Sequence, residues 1–161
     1  MIEANEAVKA PWLKAYGDLP FHLEYPDTTM FENVERIAKQ YPDYIAFEFL
    51  GKSTTYSEFI ANIRRTAKGL TAMGIKENDR VTICMPNTPQ GVITFYALNL
   101  IGAISNMIHP LSSEGEIAFY LEESESVAAL TLDQFYPKFA EIAKTKAIPK
   151  LSLISATPFL Q

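Results

Sequence analysis

The sequence predicts an α/β fold, a mainly parallel sheet with helices on both faces, and three observations carry that prediction. From Arg80 onward, short apolar runs alternate with helical patterns of about three turns, the signature of parallel strands joined by crossover helices. The apolar runs lack strict alternation, as strands do when both of their faces are covered. Two Ser/Thr-x-x-Glu capping boxes and a hairpin pattern precede the repeat and mark its boundaries.

The elements follow in order. Residues 1–27 show no sustained period and are punctuated by Pro11, Pro20 and Pro26, so they read as an extended arm laid over the domain that occupies residues 28–161. In "TTMFENVERIAKQYPD", Thr29 and Glu32 form a capping box, and Phe31, Val34, Ile37 and Ala38 form one apolar stripe that ends before Pro42. "YIAFEFLGKSTTYSEF" puts Ile45, Phe47 and Phe49 on one side of a strand and follows it with a turn containing Gly51, a hairpin pattern between about Phe47 and Thr55. Thr55 and Glu58 open a second helix, with Phe59, Ile60, Ile63, Ala67 and Leu70 at helical spacing and Gly74 at its stop.

The repeat then runs strand "RVTICM", helix "PQGVITFYALNLIG", strand "AISNMI", helix "SEGEIAFYLEES", strand "SVAALTL", helix "FYPKFAEIAKT" and strand "KLSLIS". Expected core positions are Val81, Ile83, Ile104, Met107, Val127, Ala129 and Leu130. The helix that starts at Thr88 and Pro89 is apolar on nearly every face, which means burial on both sides.

Composition bounds the function. With 161 residues, 48% of them hydrophobic and 20% charged, the chain is long enough to bury a core and too apolar to be disordered. The 14 basic and 19 acidic residues give a net charge of −5, which argues against nucleic acid as a partner. A single cysteine, Cys84, allows no internal disulfide, and acidic residues stand where a signal peptide would carry basic ones; a cytoplasmic location is the expectation. The longest apolar stretch, "GVITFYALNLIGAI", is broken by Thr94 and Asn99 and is too short to span a bilayer, so no membrane segment is expected.

The chemical inventory is nearly empty. His22 and His109 have no CxxC, HxxxH or carboxylate cluster around them, so no metal site is expected. No GxxxxGK[ST], GxGxxG or GxSxG motif occurs. Ser113 with Glu116 reads as a cap rather than a nucleophile, and "EESES" reads as a solvated helix end. His109, just past a strand, is the single candidate for contact with a substrate; no catalytic or cofactor-binding residue is expected.

Taken in order, "APWLKAYGDLP", "PDYIAFEFLGKSTTYSEF" and "LTAMGIKENDRVTICMPNTPQGVITFYALNLIGAISNMIHPLSSEGEIAFYLEESES" resemble the N-terminal subdomain of the AMP-forming acyl-CoA synthetases, within the adenylate-forming superfamily. "TYSEF" and "GIKENDRVTICMPNTPQGV" match two elements of that family, and "LIGAISNMIHP" matches a third, although Asn78, Ile101 and His109 depart from the family's usual residues. The resemblance implies an N-terminal fragment of an acid–CoA ligase of the fatty-acid type that works through an acyl-adenylate, with ATP, Mg²⁺ and coenzyme A serving the full-length enzyme and a carboxylic acid as its substrate. The family's ATP-cradling loop, ribose-binding aspartate and catalytic lysine have no counterpart here, so the fragment itself is expected to bind no cofactor and to be inactive. A fragment stripped of its packing partners would expose the apolar helix around Phe95 and Leu98, which leads to the expectation of a homodimer. A non-catalytic, flavodoxin-like binding or interaction module is the alternative reading.

Overall fold

The computed structural model describes residues 11–20, 22–145 and 152–155. The first ten residues of the expected arm lie outside them; the described remainder of the arm holds one short 3₁₀ turn, Pro11–Ala15, and exposes Trp12, Leu19, Leu23 and Tyr25.

Local signals become elements where the sequence places them. α1 (Met30–Gln40) and α2 (Tyr56–Ala72) both begin with complete capping boxes, Thr29 with Glu32 and Thr55 with Glu58. Between them β1 (Ile45–Phe49) and β2 (Lys52–Thr55) pair antiparallel across the two-residue turn Leu50-Gly51, in which both residues have positive φ, at 50° and 78°. That is the turn whose twist suits a hairpin, and leucine is an unusual occupant of its first position. The ladder slips between Ile45 and Phe47, and Ile45 ends 60% exposed rather than beside Phe47 and Phe49. Phe47 instead meets Phe59 edge to face at 5.3 Å, and Phe59 meets Tyr96 at 5.6 Å, which ties the hairpin to the helices behind it.

The repeat forms β3 (Arg80–Cys84), α3 (Pro89–Leu100), β4 (Ile104–Met107), α4 (Glu114–Glu123), β5 (Ala128–Thr131), α5 (Tyr136–Thr145) and β6 (Ser152–Ser155). The four strands of this repeat make one parallel sheet in the order β4-β3-β5-β6. Side-chain alternation along its strands feeds two separate cores. Val81, Ile83, Ala128 and Leu130 pack with Phe31 of α1, Phe59 and Ile63 of α2 and Leu98 of α3. Cys84 and Ala129 pack on the opposite face with Ile117 and Leu121 of α4 and Phe139 and Ile142 of α5. Helices therefore cover both faces, as the unalternating strands predict.

Two expected core residues are not in the core. Ile104 is 48% exposed and Met107 56% exposed, because β4 pairs only with β3 and forms the edge of the described sheet. Val127 precedes β5 and is half-buried, its N–H donating to the Arg80 carbonyl.

The expectation for α3 changes more. The helix is apolar all round because α1, α2 and the sheet enclose it within this chain: Leu98 is fully buried, Phe95 is half-buried, and Val92 is its only exposed residue. Asn99, inside the apolar pattern, accepts the Phe31 N–H at 2.9 Å and fastens α1 to α3. Phe95 and Leu98 face the interior, and only Val92 and the end of α3 at Leu100 keep apolar surface, so the homodimer argued from Phe95 and Leu98 loses its basis.

Asn78, where the resembling family commonly has glycine, adopts φ 66° and donates its N–H to the Gly102 carbonyl at 2.8 Å. Asparagine is among the few side chains that tolerate this conformation. Gly102 itself has φ 75°, and a Cβ there would lie 2.9 Å from Glu77 Cγ, so a side chain is refused twice.

Candidate functional site at the carboxyl edge of the sheet

The strand order locates the place where a ligand would bind. From β3 the chain leaves toward one face to form α3, whereas from the neighbouring β5 it leaves toward the other face to form α5. Open α/β sheets hold ligands in the crevice that such a divergence opens beyond the carboxyl ends of the strands. Here the crevice is bordered by residues 85–88 after β3 and residues 132–135 after β5, with the β4–α4 loop, residues 108–113, alongside.

Helix N-termini at such an edge attract anions when their amides are free. In this chain they are committed in part. At α3, Pro89 brings no N–H, and Thr88 Oγ1 accepts the Gly91 N–H at 3.4 Å. At α4, Ser113 Oγ accepts the Glu116 N–H at 3.3 Å, while the Glu116 carboxylate accepts the Ser113 N–H at 2.8 Å and its hydroxyl at 2.9 Å. The backbone N–H of Ser113, and then its hydroxyl, hold the Glu116 carboxyl below the usual carboxylate range. With Glu114 beside it, that first turn presents negative charge to anything approaching. In the first turn of α5, Pro137 again lacks an N–H, and Lys138 Nζ donates to the Ser112 carbonyl at 3.0 Å. One buried acceptor in this region is unmet: Gln90 Oε1, in the first turn of α3, has no hydrogen-bond partner.

His109 lies at this edge, exposed, just beyond β4. Its Nδ1 accepts the Leu111 N–H at 3.2 Å, which makes Nδ1 an acceptor and puts the proton of the neutral ring on Nε2. Its carbonyl accepts the Ser112 N–H at 3.1 Å and the Cys84 thiol at 3.8 Å. Cys84 is fully buried; burial pushes its thiol up to about 11 against the opposing influence of Lys138, so it offers no thiolate nucleophile at neutral pH. Among the described residues no three His, Cys, Asp or Glu side chains converge to hold a metal, and no helix is long and apolar enough to cross a membrane.

The sequence reading missed a polar network beneath α4. Thr82 Oγ1 and Ser126 Oγ share a hydrogen bond of 2.7 Å, Asn106 Nδ2 donates to Thr82 Oγ1 at 2.9 Å and to Ser124 Oγ at 3.0 Å, and Ser124 and Ser126 are 2.8 Å apart. The glutamates of "EESES" are exposed as expected, but its serines join this network between the end of α4 and the sheet. The signal available was a polar residue inside each of two strands, Thr82 in β3 and Asn106, next to Ser105, in β4. Satisfied in this way, the groups fix where the end of α4 crosses the sheet.

A family model of AMP-binding enzymes matches residues 34–160. The chain belongs to that family. It is 29% identical over 151 residues to a long-chain-fatty-acid–CoA ligase of Bacillus subtilis, covering 93% of this chain and 27% of that protein. It is 28% identical over 140 residues to 4-coumarate–CoA ligase 1 of Petroselinum crispum, covering 87% and 24%. Among solved structures, the N-terminal domain of FACL13 from Mycobacterium tuberculosis superposes with a TM-score of 0.76 at 25% identity, covering 83% of this chain and 35% of that one. The chain thus spans about a quarter of the length of the curated relatives it matches.

Proposed function

We propose that this member of the AMP-binding enzyme family is the N-terminal portion of an acid–CoA ligase of the fatty-acid type, which activates a carboxylic acid as an acyl-adenylate and transfers it to coenzyme A. ATP and Mg²⁺ serve the whole enzyme, in the cytoplasm. The observation that carries this reading is the family match over residues 34–160, together with relatives that are themselves named CoA ligases.

ATP does not fit the edge described here. Its phosphates would meet partly capped amides, the carboxylates of Glu114 and Glu116 and a lysine that already bonds a carbonyl, so no step of adenylation is assigned to these residues. The part proposed for this chain is architectural: a sheet covered on both faces that supports a site built by other residues. His109, exposed at the carboxyl edge, is the residue proposed to border the acyl substrate, and residues 1–27 are proposed to form an arm outside the α/β unit.

The test compares this 161-residue chain with a longer protein that carries it together with an ATP-binding loop. The longer protein should catalyse acid-dependent exchange of pyrophosphate into ATP, while the short chain should show neither exchange nor ATP affinity in the low micromolar range. Tight ATP binding by the short chain would overturn the assignment of its edge. Absence of exchange by the longer protein with all of a panel of short- to long-chain acids would favour the flavodoxin-like interaction module instead.

A further inference from the structure

A groove of about 450 Å³ lies between α2 and the end of α3, far from the edge described above. Leu100 and Ile101 lead directly toward the start of β4, which puts the groove at the amino edge of the sheet. Its α2 wall is a single helical stripe, Arg64, Ala67, Lys68 and Thr71, at spacings of three and four. Small side chains at 67 and 71 leave the space open, and Leu100 and Ile101 supply an aliphatic wall opposite.

The charge of this groove runs against that of the chain. The protein carries a net charge of −5, yet the groove is lined by two cations and no carboxylate. Arg64 is held in place from behind: it pairs with Glu35 and lies over the Phe31 ring at 5.7 Å. Glu35 is shared with Lys39 at 2.8 Å, so one carboxylate answers two cations. A guanidinium has five donors, and a single carboxylate behind it leaves some of them for a ligand. Lys68, one turn along, makes no hydrogen bond or ion pair among the described residues.

We infer that this groove binds a free aliphatic carboxylate, the head group on Arg64 and Lys68 and the chain along Ala67, Leu100 and Ile101, at a site separate from the carboxyl edge. The occupant follows from the lining. An apolar floor with a cationic rim at one side suits one anionic head on an aliphatic body, whereas a phosphate would want the clustered backbone N–H groups that the groove lacks. The groove is shallow and open to solvent, so it would hold the aliphatic chain along its surface rather than enclose it. This inference goes beyond the proposed function and is read without ATP or coenzyme A, so the fate of the adenylation assay does not decide it.

The experiment uses the 161-residue chain, isotopically labelled, titrated with decanoate, decylammonium and decanol and followed by amide chemical shifts. Decanoate should shift the amides of residues 64–72 and 100–102 in a saturable way. Lys68→Glu, its fold checked by circular dichroism, should weaken that binding at least about tenfold, the worth of a charged hydrogen bond. Thr71→Trp, which fills the groove from an exposed position, should abolish it. Decylammonium binding as tightly as decanoate would overturn the inference, as would shifts centred on Phe119 and Tyr136 or no response up to roughly 1 mM. Shifts in the groove that depend on protein concentration without any ligand would assign it to a second copy of the chain and would equally overturn it.

Discussion

Leu98→Ala should be among the most damaging conservative changes in this protein, although α3 reads from sequence as a helix with apolar surface to spare. Leu98 is fully buried, packed with Val81 and Ile83 of the sheet and with Ile63 of α2. Its carbonyl accepts the Ala103 N–H at 2.9 Å, a backbone contact that alanine would keep, so the change isolates the side chain. Removing a leucine side chain from such a site costs its transfer free energy plus a cavity term, about 3 to 5 kcal/mol in well-packed cores. For a domain with about 5 to 15 kcal/mol in hand, that is a large fraction of its stability. At about 2 to 4 °C per kcal/mol for a chain of this size, the melting temperature should fall by roughly 10 °C. Urea unfolding followed by far-ultraviolet circular dichroism measures the loss, with an unchanged denaturant slope showing that the two-state reading holds. Met107→Ala, on the exposed edge strand, is the control and should cost under about 1 kcal/mol. A Leu98→Ala cost no larger than that of Met107→Ala would refute the enclosed α3. By the same reasoning Leu98→Asp should unfold the chain rather than dissociate a dimer, since it would bury an unpaired carboxylate.

Other outcomes are as direct. Leu50→Asn should stabilise the protein by about 1 kcal/mol, because leucine at φ 50° is strained where asparagine is tolerated; thermal unfolding reads the gain, and a comparable loss would show the turn is misassigned. Cys84 should resist an aromatic disulfide reagent at pH 8 until urea unfolds the chain, as its burial and raised thiol both require; prompt labelling of the native protein would contradict the packing. Glu58 and Glu116 both titrate below their ordinary value of 4.5, held there first by backbone N–H groups, so their stabilisation is complete above that pH and is lost as pH falls through the folded values. Glu116→Gln should therefore lower stability at pH 7 and make little difference at pH 2, measured as urea midpoints at the two pH values.

Much of this protein was decided within a few residues of chain. The capping boxes at Thr29, Thr55 and Ser113 form because each needs only a hydroxyl and a glutamate three positions apart, a condition the sequence states outright. The helical stripe of α2 and the apolar runs of β3 and β5 likewise show which side chains must leave water, and the absence of alternation shows that both sheet faces are covered. The family resemblance also rests on linear order and spacing, and it explains an edge without phosphate chemistry. Tertiary structure alone decided which strand is the edge and which helix is the middle. β3 and β4 read alike as apolar runs, yet the order β4-β3-β5-β6 buries Ile83 completely and leaves Met107 half in solvent. The all-round apolarity of α3 was satisfied by the sheet and by α1 and α2, elements that lie elsewhere in the chain. The network of Thr82, Asn106, Ser124 and Ser126 and the groove between α2 and α3 have the same origin. Periodicity records how strongly each residue avoids water, whereas what covers it depends on segments far away in the chain, and no local pattern encodes that choice.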